Sequence, residues 1–408
     1  MRILHTSDWH LGRTLEGRSR QTEQEQFVDE LCRIANDEQI DLVLVAGDVF
    51  DTYNPSAHAE ALYCHALDSL TSGCQRAVVI IAGNHDSPDR LLATSPLARR
   101  RGVYKAGLPS EVLPMGGCVV SSGSGWIELA IASVPHNAVV SLLPYPSEAR
   151  LGQMLSSALE ERQQRQAYSA AVGELFARQA QAFRSDTVNL AMSHLFVVGG
   201  SACESERPIE VGGACSVDPA HLSPPAHYVA LGHLHRPQAV SGAVTPTYYS
   251  GSPLAYSFSE AGQSKSVYII EAQPGEPALV KAVPLSAGIP LERWQCRGGL
   301  AEAEARLSAL QGRNLWLDIE IFVARYPTND EVGHLRLLHP GLIHLRCIVE
   351  GESRPSHTKS MAELSLPELI TRYYQFRKGG GQPPEELVTL FVSLLEEAQS
   401  EMEGVARS

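Results

Sequence analysis

No run of apolar residues in this 408-residue chain approaches the roughly 18 that a membrane-spanning helix requires. A signal-peptide cleavage pattern is missing too, because a ligand-bearing strand begins at once; a cytoplasmic address is the expectation. The eight cysteines (Cys32, Cys64, Cys74, Cys118, Cys203, Cys215, Cys296 and Cys347) contain no C-x-x-C pair. That spacing fits neither a zinc finger nor a disulfide framework, and it suits a reducing compartment. Basic charge is also scarce. A net charge of −13 argues against holding nucleic acid by bulk electrostatics. The nearest thing to a basic patch is Arg99 to Arg101, read as a solvated helix end, with Arg13, Arg18 and Arg20 elsewhere. A polyanionic substrate would therefore need cations or a partner to supply the attraction. Neither a G-x-S-x-G elbow nor a G-x-x-x-x-G-K-[ST] loop occurs, so any ATP must be bound by another chain.

What is present is a repeated pattern. The chain is long enough for about two or three domains with substantial cores. Its 44% apolar and 19% charged fractions are those of an ordinary globular protein. In ILHTSDWHLG a strand-like run from Ile3 to Thr6 breaks off into Asp8 and His10, both strong metal ligands. At i and i+2 of an extended segment the two point one way and Trp9 the other. The same thing happens four more times. Leu42 to Ala46 is followed by Asp48, and Ala77 to Ala82 by Asn84, His85 and Asp86. VNLAMSHL ends on His194, and YVALGHLHRP on His233 and His235. Near-continuous apolar runs of this length suit strands buried on both faces. The segments between them have helical period: Phe27, Leu31, Ile34 and Ala35 form one stripe, Leu62, Ala66 and Leu70 another. Strand, helix, strand, helix is an α/β layout, in which ligands bind beyond the carboxyl ends of the strands. Five such ends bearing nitrogen and oxygen ligands converge on one place. His5, His58, His65, His136, His221 and His227 lack that placement and read as structural.

At SDWHLG, AGDVFD, AGNHDS, SHLFVVGG and LGHLHRP the chain resembles the calcineurin-like metallophosphoesterases. Their motifs D-x-H, G-D-x-x-(D/H), G-N-H-(D/E), a lone histidine and G-H-x-H occur in this order. ILHTSDWHLGRTL, GDVFDTYNPS and YYSGSPL more narrowly resemble the nucleases of DNA double-strand-break repair. The resemblance implies an α/β fold: a metallophosphoesterase β-sandwich flanked by helices, with a small α+β capping domain and C-terminal partner-binding helices. It implies two divalent metal ions sharing Asp48, one completed by Asp8, His10 and His235, the other by Asn84, His194 and His233. A mixed N/O set without thiolate allows manganese, iron or zinc, and the family selects manganese. His85 would stabilise the phosphate and protonate the leaving oxygen, with Asp86 orienting its ring. Asp51 stands where some relatives have histidine; its role is open between assisting the phosphate and capping a loop.

The implied activity is a metal-dependent DNA nuclease, both an ATP-dependent 3′ to 5′ double-strand exonuclease and a single-strand and hairpin endonuclease. It would serve DNA replication, recombination and repair, cytoplasmic and nucleoid-associated. The implied partners are an SMC-type ATPase, DNA ends and hairpins, and a second copy as a homodimer within a heterotetramer. A phosphatase or cyclic-nucleotide phosphodiesterase on the same fold is the alternative, and a DNA-end-binding scaffold the rival outside enzymes. The cap and terminal helices weigh against the first, the intact ligand set with His85 against the second.

The expected domains are a phosphoesterase core over 1–285, a cap over 286–350, a linker over 351–362 and a helical partner-binding segment over 363–408. Within the core, Ser147 to Arg184 reads as a long helical insertion flanking the sheet, with exposed helices available for dimer contacts. In the cap, AEAEARLSAL and NDEVGHLRLLHP read as helices and LIHLRCIVE as a strand. LWLDIEIFV reads as a strand with Leu315, Leu317, Ile319 and Ile321 on one face. After the polar linker, Ser365, Pro367 and Glu368 form a helix start with a capping box. Leu387, Leu390, Phe391, Leu394 and Leu395 then stripe a second helix, which the resemblance would dock on the ATPase coiled coil.

Overall fold

The computed structural model describes residues 1–147, 161–206, 215–222, 224–310 and 312–349, with isolated positions between 367 and 391. Two compact units are present, Met1–Ile348 and Val349–Ser408. In the second, Pro367 and Leu387 to Phe391 are helical. The linker, Ser365, Glu368, Leu394 and Leu395 lie outside the described residues.

In chain order the first unit begins β1 (Arg2–Thr6), α1 (Gln21–Asp37), β2 (Leu42–Ala46), α2 (Ala57–Thr71), β3 (Ala77–Ile81) and β4 (Val103–Ala106). Then come β5 (Val119–Gly123), β6 (Trp126–Leu129), β7 (Ala138–Leu143), α3 (Glu161–Gln179), β8 (Val188–His194) and β9 (Tyr228–Gly232). The core ends with β10 (Gln238–Ala239), β11 (Thr247–Tyr249), β12 (Ser266–Glu271) and β13 (Leu279–Pro284). One sheet runs β13-β12-β1-β2-β3-β4 and the other β10-β11-β9-β8-β7-β6-β5. The central pairs β1/β2, β2/β3, β7/β8 and β8/β9 are parallel. Parallel strands covered on both faces explain the unbroken apolar runs, and β2, β3 and β9 are buried at every position.

Each sheet has an inner and an outer face, and side-chain alternation sorts the core accordingly. Leu42, Leu44 and Ala46 of β2 meet Val140, Leu142, Leu190 and Met192 of the other sheet, forming the sandwich interior. Val43 and Val45 face outward onto Phe27, Leu31, Leu62, Ala66 and Leu70, the helical stripes expected from the sequence. Burying each such side chain stabilises the fold by about 1.5–3 kcal/mol. Helix α2 starts where the Ser56 side chain accepts the Ala59 N–H at 3.2 Å. The outer face of the second sheet is covered by Tyr168, Val172 and Phe176 of α3, so this part of the insertion is structural. Residues 148–160 of the insertion lie outside the described set. Arg99–Arg101 is a short 3-10 turn with no buried residue, as a solvated helix end should be.

Beyond β13 the chain forms a third sheet, β14 (Leu291–Cys296), β15 (Trp316–Val323) and β16 (Leu342–Val349), with β15 central. Helices α4 (Gly299–Ser308) and α5 (Asn329–Leu338) complete it, α5 opening on a Thr328–Glu331 capping box. Leu315, Leu317, Ile319 and Ile321 are buried. Passage from core to this sheet is pinned from α1. The Glu30 carboxylate accepts the N–H groups of Ser286 and Ala287 at 2.9 and 2.7 Å, and Glu23 accepts that of Ile289 at 2.6 Å.

Candidate metal centre

The parallel strands β1, β2, β3, β8 and β9 end side by side; His194, the last residue of β8, and the loops leaving the other four carry every ligand proposed from the sequence. The two sheets touch there. His194 Nδ1 donates to the Ala46 carbonyl at 2.9 Å. A Cβ at Gly232 would overlap that same carbonyl oxygen, and one at Gly83 would overlap the Asp48 carboxylate. Only glycine permits this approach.

Asp8 and His10 do not lie in an extended segment. The strand ends at Thr6, and both residues adopt left-handed backbone, at φ 53° and 46°. Hydrogen bonds from Asp8 N, His10 N and Leu11 N to the carbonyls of Gly47, Asp48 and Val49, at 2.9–3.0 Å, hold this path against the second loop. Trp9 does turn the other way, into the core against Phe27. Asp48 and His233 also have positive φ, 50° and 106°. Four of the seven expected ligands therefore sit in backbone conformations that cost free energy, the kind of strain that clusters at functional sites.

Ligand atoms of Asp8, His10 and His235 lie within 4.8 Å of one another, and so do those of Asp8, Asp48 and His194. Asp48 Oδ2 is 3.6 Å from His10 Nε2 and 3.4 Å from His194 Nε2, so this carboxylate too lies between the groups. His10 Nε2 and His235 Nε2 face each other at 3.0 Å. Asn84 Oδ1 is 2.9 Å from His194 Nε2. The His233 ring packs edge-on to that of His194, with centroids 5.5 Å apart, and its backbone N–H donates to Asp8 at 2.9 Å. A third group unites His10, Asp51 and His85.

The electrostatics are those of a site built for cations. Asp8 is fully buried and Asp48 nearly so, and among the described residues no lysine or arginine pairs with either. Burial, with the neighbouring Asp48 charge, pushes the Asp8 carboxyl up to about 8. Asp48 is also penalised by burial, yet His194, His10 and His85 outweigh that and hold it well below the usual carboxylate range. Burial would lower His194, but Asp48 and Asp8 raise it to about 9. Burial keeps His10, His233 and His235 low, hence neutral and able to ligate. Two buried carboxyl groups among four imidazoles, three of them held neutral by burial, and an amide oxygen, with no thiolate, fit hard or borderline divalent cations.

His85 and Asp51 open onto a cleft of about 420 Å³, lined also by Arg13, Thr14, Ser205 and Glu206. Asp86 does not orient His85. Its carboxylate accepts the backbone N–H groups of Val49, Phe50 and Gly83 at 2.9–3.2 Å, tying the second ligand loop to the third. The His85 ring is held instead by the Asp51 carbonyl, 2.7 Å from Nδ1. The Asp51 side chain lies 3.4 Å from His10 Nδ1 and 3.5 Å from Arg13. His5, read as structural, is buried between the Tyr228 hydroxyl and the Leu231 carbonyl. Sequence reasoning passed over Ser205, Glu206 and Glu260, which surround His235; the legible signal was the S-x-x-E spacing from Ser257 to Glu260, a capping box in the fold.

Residues 1–237 match the model of the calcineurin-like phosphoesterase family. The chain is 44% identical to SbcD of the nuclease SbcCD from Bacillus subtilis, over 98% of this chain and 99% of that one. It is 36% identical to the SbcD protein of Rhodobacter capsulatus, covering 73% of this chain and 72% of that one. Identity to the Escherichia coli SbcD protein is 31%, over 99% and 100%. With its five strand-end motifs intact and this likeness running from end to end, the chain belongs to the calcineurin-like phosphoesterases and, within them, to the SbcD family of SbcCD nuclease subunits.

Proposed function

We propose that this chain is the metal-dependent nuclease subunit of an SbcC-like, SMC-type ATPase complex, hydrolysing DNA phosphodiesters. The observation that carries the reading is the pair of buried carboxylates, Asp8 and Asp48, flanked by imidazoles, with His10 of that cluster grouped with the cleft-lining Asp51 and His85. Asp8, His10 and His235 would hold one cation and Asn84, His194 and His233 the other, with Asp48 between them. Manganese is the metal favoured by the family. Such a pair supplies Lewis acidity toward the phosphoryl oxygens and toward water at neutral pH.

The protein's own groups do the rest. A carbonyl only accepts, so His85 Nδ1 must donate to Asp51 O, which fixes the ring; only the imidazolium form, protonated at Nε2 as well, could pass a proton to the leaving oxygen. Arg13, beside Asp51 at the cleft wall, offers a guanidinium to a phosphate. In this reading residues 286–350 cap the site and guide DNA ends and hairpins to it. Residues 363–408, beyond the linker, dock on the ATPase, and two copies form the homodimer of a heterotetramer. A labelled hairpin duplex and a phosphomonoester, each incubated with the pure protein and manganese, magnesium or chelator, test the assignment. Manganese-dependent cleavage of the hairpin is expected; turnover of the monoester alone would point to a phosphatase.

A further inference from the structure

His235 is gripped at three points, by buried Ser205 and Lys265 and half-buried Glu206. Its backbone N–H donates to Glu206 at 2.6 Å, its carbonyl accepts from Lys265 Nζ at 2.8 Å, and its ring Nδ1 lies 2.6 Å from Ser205 Oγ. Ser205 Oγ in turn lies 2.6 Å from Glu260 Oε1, and the other Glu260 oxygen pairs with Lys265. Glu260 and Lys265 are 0% and 7% exposed at the side chain. A buried ion pair of this kind is weak evidence of stabilisation, because desolvation consumes most of the Coulombic gain. Its position behind a ligand histidine calls for another explanation.

Counting protons gives one. Glu260 accepts from Lys265, from Ser205, and from the Tyr256 and Ser257 N–H groups at 2.9 and 3.1 Å, so it acts throughout as an ionised acceptor. Ser205 has a single hydroxyl proton, and it goes to Glu260. The 2.6 Å contact with His235 can then be a hydrogen bond only if Nδ1 carries the proton. The tautomer leaves a lone pair on Nε2, the atom facing His10 across 3.0 Å. We propose that Lys265, Glu260 and Ser205 form a proton-directing relay that fixes His235 as its Nδ1–H tautomer and presents Nε2 to the cation. Ser205 and Glu260 are positioning residues, and the proposal rests on the metal-centre reading above. Outer hydrogen-bond partners of this type typically contribute about 10–100-fold to metal affinity.

Two measurements on the full chain test it. In metal-free protein carrying nitrogen-15 histidine, long-range proton–nitrogen spectra should show His235 protonated at Nδ1, its signals assigned by their loss in His235→Gln. Calorimetric titration with manganese should show about 10–100-fold weaker binding in Ser205→Ala. Ser205→Thr, which keeps the hydroxyl, should return to within a few-fold of the parent. An Nε2–H tautomer in the unsubstituted protein overturns the relay whether or not any variant folds. So does a Ser205→Ala protein with unchanged tautomer and affinity. Absence of manganese binding by the parent chain would defeat the metal-centre reading, while the tautomer spectrum still decides the relay.

Discussion

Neighbouring residues His85 and Asp86 have different work. His85 faces the cleft, while Asp86 is completely buried and satisfies three backbone donors. His85→Gln should therefore reduce hairpin cleavage by about 10²–10⁴-fold, the usual contribution of a general acid, with manganese affinity and DNA binding retained. Manganese-dependent cleavage at the parent rate would remove His85 from its role. Asp86→Ala should instead act through stability. Three orphaned amides, at about 1–3 kcal/mol each, predict a loss of at least about 3 kcal/mol in denaturant unfolding.

At the scale of elements, the junction of β2 and β9 is the tight point. Gly232 packs on the Ala46 carbonyl, and His194 bonds that same oxygen, so strand ends and ligand geometry are one structure. Gly232→Ala would force the two sheets apart where His194 and Asp48 meet. Its expected signature is loss of manganese binding in titration together with a lowered Tm. Leu31→Ala, in the core between α1 and the first sheet, should cost about 2–5 kcal/mol and leave manganese binding intact. Equal loss of metal binding in both variants would show that the site has no special dependence on the sheet junction.

For the whole molecule, the site couples folding to protons and cations. Asp8 is raised from 3.8 to about 8 and His194 from 6.5 to about 9. Both bind protons more tightly folded than unfolded, so the stability each contributes is present at low pH and lost as pH rises through the folded value. Their windows overlap between pH 6.5 and 8, and Glu206, raised to about 7 by burial, acts in the same sense up to that pH. Lys105, lowered to about 8 by burial, opposes them only above pH 8. His5, His10, His233 and His235, lowered by burial, act in the opposite sense around and below their unfolded value of 6.5, so the Tm of chelator-treated protein should fall from about pH 7 to 8. Each proton released corresponds to about 1.4 kcal/mol per pH unit at most. Manganese should flatten or reverse the slope, because cations take the place of the protons. A metal-free Tm that climbs across this range would contradict the assigned environments of Asp8 and His194.

Strands buried on both faces leave unbroken apolar runs, and helices on the outer faces leave stripes at i, i+3 and i+4. β2, β3 and β9, and the stripe of Phe27, Leu31 and Ile34, were therefore legible along the chain. So were the strand ends bearing Asp, Asn and His, because residue type and position within a run are local properties. The left-handed backbone at Asp8 and His10 was not legible, since it is imposed by hydrogen bonds to Gly47, Asp48 and Val49 about 40 residues away. Nor was the choice between Asp86 and the Asp51 carbonyl as the partner of His85, or the grouping of Ser205, Glu260 and Lys265 behind His235. Local sequence determined which groups reach the rim of the sheets; which proton each one holds, and toward what it points, was decided by contacts between segments that only folding brings together.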